Sequence, residues 1–148
     1  MSAGIFGMSG AALVLGLSAV GAAMGMGIAG AAAIGAAKRC FKANRPVPML
    51  MLTFAGFPLT EVVYGFIITQ QMLGTAVTAD NAGELFGLGI GAGLAMALVG
   101  IAEGKAGAAA CDSLSDTGKG VAFYVGILGI IETVALFAMV FTIMMNLG

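Results

Sequence analysis

The sequence predicts an all-α membrane protein whose four transmembrane helices form two tandem helical hairpins. Three observations carry this. Of 148 residues, 60% are hydrophobic and 9% charged, and the mean hydropathy is +1.09, outside the range of soluble domains. Four apolar segments each exceed the roughly 20 residues that a helix needs to cross the hydrocarbon core. The segments are continuous and rich in Ala, Leu, Met and Gly, whereas strands of a membrane barrel would alternate. A formal net charge of −1 gives no reason to expect nucleic acid, and two cysteines make no disulfide framework.

The first span covers about residues 9–37. It lacks a basic n-region and its apolar run is too long for the h-region of a signal peptide, so it is read as a retained helix. Gly21, Gly25, Gly27, Gly30 and Gly35 lie along it among alanines. Glycine is a weak helix former, so this density predicts close backbone contact with another helix. The break KRCFKANRPVP (38–48) leads to a bulkier second span at about 49–74, which holds Phe54, Phe57 and Phe66 and, within FPLTEVVYGF, Glu61. After the break TAVTADNAGE (75–84), the third span, about 85–110, is again glycine-rich and carries Glu103. The break CDSLSDTGK (111–119) precedes the fourth span, about 120–147, with Phe123, Phe137 and Phe141, and with Glu132 inside GIIETVALF. Small residues on one helix and large ones on its partner make a wedge. Wedges side by side close into a ring with the glycine-rich helices on its inner wall.

The two halves, 1–74 and 75–148, repeat each other. GIAG at 27–30 matches GIAE at 100–103 with an offset of 73, and the same offset lays LTEVVYGF (59–66) on ETVALFAM (132–139). Helix order agrees with the offset, which points to duplication of a hairpin. In a four-helix serpentine the first and third breaks share one side. All six basic residues, Lys38, Arg39, Lys42, Arg45, Lys105 and Lys119, fall on or beside it. The positive-inside rule assigns the 38–48 and 111–119 loops to the cytoplasm and both termini to the outside. Cys40 and Cys111 fall in those loops and are expected to be reduced.

Glu61 and Glu132 each lie about 12 residues into their helices, roughly 18 Å from the basic end. Glu103 lies roughly 12 Å from the same end, near enough for the three carboxyl groups to meet. A carboxyl group costs at least a few kcal/mol at the bilayer centre and is rare there without a function. The structural reading is a protonated glutamate that hydrogen-bonds a neighbouring helix, or, for Glu103, an ion pair with Lys105; residues two apart face different sides of a helix, which weakens the latter. Desolvation favours a neutral carboxyl, and two or three together cannot all ionise cheaply. Such a cluster holds a proton or a cation and releases it when a charge or water approaches. With no His, no phosphate loop and no metal-ligating Cys/His cluster, nothing suggests an enzyme active site or a bound cofactor. GLGIGAG at 87–93 lies mid-membrane with no strand before it and reads as packing.

Two glycine-rich hairpins, IIETV in the last helix and PLTEVVYGF in the second resemble the duplicated proteolipid, the K or c subunit, of the membrane rotor ring of vacuolar-type (V-type or A-type) rotary ATPases. The similarity covers nearly the whole chain. It implies a homo-oligomeric ring, a stator subunit of the a/I type offering an arginine, central-stalk subunits and surrounding lipid, with ATP hydrolysed elsewhere. By resemblance Glu132 is the essential ion-carrying carboxylate, and Leu59 stands at its repeat position in the first hairpin. Sodium-carrying relatives have Pro, any residue, Thr, Gln and, three further on, Tyr; here Pro58, Thr60 and Tyr64 fit. Glu61 and Glu103 stand where those relatives have glutamine. The implied ion site is Glu132, Glu61, Glu103, Thr60, Tyr64 and the backbone carbonyl of Phe57. For sodium the direct ligands would be Glu132, Glu61, Glu103 and Thr60. Oxygen ligands suit a hard cation, and a neutral glutamate has nearly the shape of glutamine, yet a carboxyl cluster sharing protons needs no metal. Protons are favoured over sodium, in a bacterial cytoplasmic membrane.

Two other classes compete. A small proton-coupled cation antiporter would want aromatic faces for its cation, and the chain has no Trp, two Tyr and no carboxylate in its first helix. A purely structural membrane oligomer would use the glutamates as interhelical glue.

Overall fold

In the computed structural model, residues 3–146 are described. They form, in order, α1 (Ala3–Lys42), α2 (Leu50–Gly56), a 3₁₀ turn (Phe57–Leu59), α3 (Thr60–Gly74), α4 (Ala82–Thr117) and α5 (Val121–Asn146). The short α2, the turn and α3 make one rod. Four helical rods, Gly4–Lys42, Leu50–Gly74, Ala82–Thr117 and Val121–Met145, are long and apolar enough to cross a membrane. The chain is an integral, multi-pass membrane protein of four long helices packed as hairpins.

At 1.5 Å per residue, α1 and α4 are about 60 and 54 Å long, well beyond the roughly 30 Å hydrocarbon core. They therefore run through positions expected to be loops. The connection expected at 38–48 contracts to 43–49, and the one expected at 111–119 contracts to 118–120. Lys, Arg, Asp and Ser end an apolar run, but they do not stop a helix that has water beside it. Cross-helix pairing holds the extension: Arg39 bonds the Asp112 carboxylate, donates to Ser115 Oγ at 2.9 Å and lies 3.5 Å from Asp116 Oδ1. Cys40 and Cys111, expected in loops, are instead helical, buried and free. Gly118 ends α4 in the left-handed region (φ 64°), where its N–H donates to Leu114 O at 2.9 Å.

The two glycine-rich helices, α1 and α4, share the most extensive contact in the molecule. A Cβ on Gly25 would lie 2.0 Å from the Gly100 carbonyl oxygen, and one on Gly104 would lie 2.3 Å from the Gly25 Cα. Backbone therefore rests on backbone at Gly21 and Gly25, as the glycine density predicted, whereas a Cβ on Gly27, Gly30 or Gly35 would meet nothing within 4 Å. The second rod packs on α1, and α5 packs on α4 and α3. The Thr69 hydroxyl ties α3 to α1, bonding Ala11 O at 3.1 Å and its own Gly65 O at 2.8 Å. Two apolar clusters fill the bundle. One gathers Val14, Ile68, Met96 and Ala135, and the other gathers Cys40, Phe54, Leu114 and Leu128. Between them along the rods lie 57–64, Glu103 and Glu132.

Candidate ion site

The site begins with a break in the second rod. Pro58 has no N–H, so it cannot bond the Phe54 carbonyl one turn back, and the helix tightens into the 3₁₀ turn Phe57–Leu59. α4 closes over that carbonyl: a Cβ on Gly107 would lie 2.5 Å from Phe54 O. Glycine density predicted close contact for this helix, but not that Gly107 would meet the Phe54 carbonyl. The signal was Pro58, which implies an unpaired carbonyl four residues earlier and a small residue to approach it.

At the end of the turn, the Thr60 N–H donates to Phe57 O. The Thr60 hydroxyl lies 2.8 Å from the same carbonyl and 3.0 Å from Glu132 Oε2, on α5. One turn further, the Tyr64 hydroxyl donates to Glu132 Oε1. Residues four apart share a helix face, so Thr60 and Tyr64 grip both oxygens of one carboxyl group from a single side. Leu59, at the repeat position of Glu132, points away and is exposed.

Glu61 and Glu103 close the other side. Both are 0% exposed. No hydroxyl or N–H donor reaches any of their four oxygens. Instead they face Glu132: one carboxylate oxygen from each of Glu61, Glu103 and Glu132 lies within 4.8 Å of the others. Lys105 is exposed, and among the described residues the ion pairs involve Arg39, Asp112 and Asp116, not Lys105. The ion-pair reading of Glu103 therefore does not hold.

All six residues singled out in the sequence, Phe57, Thr60, Glu61, Tyr64, Glu103 and Glu132, converge near the middle of the bundle. The group offers only oxygen: three carboxyls, two hydroxyls and a carbonyl. Buried acids without donors need compensating positive charge, and hard oxygen ligands take protons or hard cations. Among these residues there is no paired nucleophile and base of the kind acyl or phosphoryl transfer needs.

Residues 86–145, spanning nearly all of α4 and α5 and including Glu103 and Glu132, match the family of the ATP synthase C subunit. No curated protein matches the chain.

Proposed function

We propose, from the match of residues 86–145 to the C subunit of ATP synthase, that this chain is the ion-carrying component of a V-type rotor ring. Members of that family are non-catalytic rotor parts that translocate ions on a buried glutamate. The observation that carries the reading here is the Glu132 carboxyl, mid-helix, gripped by Thr60 and Tyr64 beside Glu61 and Glu103.

The vacuolar type is supported by four spans in one chain with one carboxylate per pair of hairpins at the last-span position. Residues 1–74 and 75–148 are then duplicated hairpins, and Leu59 marks the one that lost its carboxylate. Copies join into a ring beside a stator subunit that offers an arginine, and central-stalk subunits bind the basic side, which faces the cytoplasm. Glu132 loads an ion at one stator channel and carries it through lipid. When the stator arginine arrives, its charge displaces the ion. Thr60 and Tyr64 hold the carboxylate closed while it crosses lipid, where an open charged side chain would be costly. Glu61, Glu103 and the Phe57 carbonyl complete the site.

Protons are the favoured cargo, since three adjoining carboxyls can share protons without any metal. Sodium is the second reading, favoured by the oxygen-only donor set with Thr60 and Phe57 O in reach. The deciding experiment follows carbodiimide modification of Glu132 in the purified ring across pH, with and without sodium. Protection by rising pH alone identifies a proton rotor, and protection by sodium at fixed pH identifies a sodium rotor. A labelling rate that neither changes defeats the rotor reading.

A further inference from the structure

The Glu61, Glu103 and Glu132 cluster can carry more negative charge, once its protons leave, than a monovalent cargo requires. One carboxylate balances one proton or one monovalent cation. Here three carboxyls meet, and the two that are fully buried, Glu61 and Glu103, receive no hydroxyl or N–H donor at any oxygen. Glu132 differs, with one hydroxyl on each oxygen. The unsatisfied capacity of the site thus sits on Glu61 and Glu103, aimed at the space between the three groups.

Its dimensions are those of a coordination shell. No pair of the three oxygens is more than 4.8 Å apart, the span across a cation whose ligands stand at about 2.4 Å, within the range of calcium–oxygen distances. Thr60 Oγ1, 3.0 Å from Glu132 Oε2, and Phe57 O, 2.8 Å from that hydroxyl, add neutral oxygens at the rim. One oxygen from each carboxyl, with Thr60 Oγ1 beside Glu132, makes an oxygen-only donor set of the kind calcium takes in flexible geometry. Magnesium demands a near-ideal octahedron and keeps several waters, so three carboxyls brought from three helices suit the more flexible calcium geometry better.

We propose that the three-glutamate cage binds a calcium-sized divalent cation, in competition with the monovalent cargo. A monovalent cation cancels one of the three possible charges; a divalent cation cancels two. The binding claim stands on the cage alone. Its consequence, that calcium slows ATP-driven transport by occupying the carrier carboxylate, rests on the rotor reading above.

The test uses the purified wild-type ring in detergent, stripped with a calcium chelator and held at mildly alkaline pH. Glu132 labelling by a carbodiimide is followed by mass spectrometry as calcium, magnesium or sodium chloride is titrated at matched ionic strength. The expected result is half-protection by calcium at a concentration roughly tenfold or more below that of sodium, since ligand charge count sets affinity at such sites, with magnesium much weaker. In the E61Q/E103Q double variant, the calcium-to-sodium ratio of half-protecting concentrations rises roughly tenfold or more. Absence of calcium protection in wild type, with pH or sodium still protecting, overturns the proposal and leaves the rotor reading standing. Equal protection by calcium and magnesium, or calcium protection unchanged in the double variant, also overturns it. If no ion and no pH protects, both fail together.

Discussion

Six positions of the candidate site have counterparts 73 residues away, and the two sets differ in chemistry; the second rod is broken by the 3₁₀ turn, whereas α5 is one continuous helix. Phe57, Thr60, Glu61 and Tyr64 on the second rod correspond to Ile130, Thr133, Val134 and Phe137 on α5, while Glu103 and Glu132 correspond to Gly30 and Leu59. One local bond persists: Thr133 bonds Ile130 O at 2.6 Å as Thr60 bonds Phe57 O at 2.8 Å. Burial separates the two sets. Glu61 and Glu103 are fully buried, whereas Ile130, Val134, Phe137 and Leu59 are each more than half exposed. A carboxylate facing hydrocarbon is expensive; one enclosed by neighbouring acids and hydroxyls has somewhere to place a proton or cation. Within this fold the polar set has settled on the enclosed face and the apolar set on the open one.

The strongest way to break that contrast is Glu132→Gln, which keeps the shape and removes the exchangeable charge. Ion transport by the assembled complex in proteoliposomes should fall to background while the isolated protein still assembles. Retained transport would place the cargo elsewhere. The counterpart change Leu59→Gln, on the open face, should leave Glu132 reactive to carbodiimide.

The next effect concerns the seam between hairpins. At Gly25 an added Cβ meets backbone, whereas at Gly27 nothing stands within 4 Å. Gly25→Ala should destabilise the detergent-solubilised chain by about 1–3 kcal/mol, the usual cost of overpacking. Gly27→Ala should be neutral or gain up to about 1 kcal/mol from helix propensity. Paired thermal unfolding curves check both, and equal shifts would mean that the glycine contact does not hold the hairpins together.

Tyr64→Phe removes one of the two hydroxyls gripping Glu132 and nothing else of the shape. A hydrogen bond to a charged group contributes about 1.5–3 kcal/mol, so the cation concentration that half-protects Glu132 from carbodiimide should rise roughly tenfold or more. Phe137→Tyr, at the counterpart position, should not tighten binding, because no carboxylate faces it.

Much of this was legible in the sequence, for identifiable reasons. Hydropathy found the four rods because lipid imposes a minimum apolar length. Counting residues put Glu61 and Glu132 at one depth because both helices start from the same side. Their ends were misplaced because charge marks where lipid stops, whereas a helix stops only at a local signal such as Gly118 or Asn44, each with positive φ. Cys40 and Cys111 moved from loop to core with that correction. The place of Thr60 and Tyr64 in the site was expected from family resemblance alone; close approach at Gly107 was expected from glycine density, but its partner, the Phe54 carbonyl, was not. Both depend on how α4 and α5 sit against the second rod, which no spacing within one helix reveals.

The smallest effect lies at the basic end: Arg39 and Asp112 are 73 positions apart, and they bond each other. Side chains there are 46% and 63% exposed, so water and salt screen the pair. Surface ion pairs contribute about 0–1 kcal/mol, and Arg39→Ala should cost no more than that in thermal unfolding. The cost should shrink further at 1 M salt, where the screening length is about 3 Å. A larger, salt-independent loss would show that Arg39 acts through its bond to the buried Ser115. In that case the extension of α1 and α4 beyond the hydrocarbon would be a packed element of the fold, held at a polar core as the ion site is, and the difference between the enclosed and open faces would extend past the membrane.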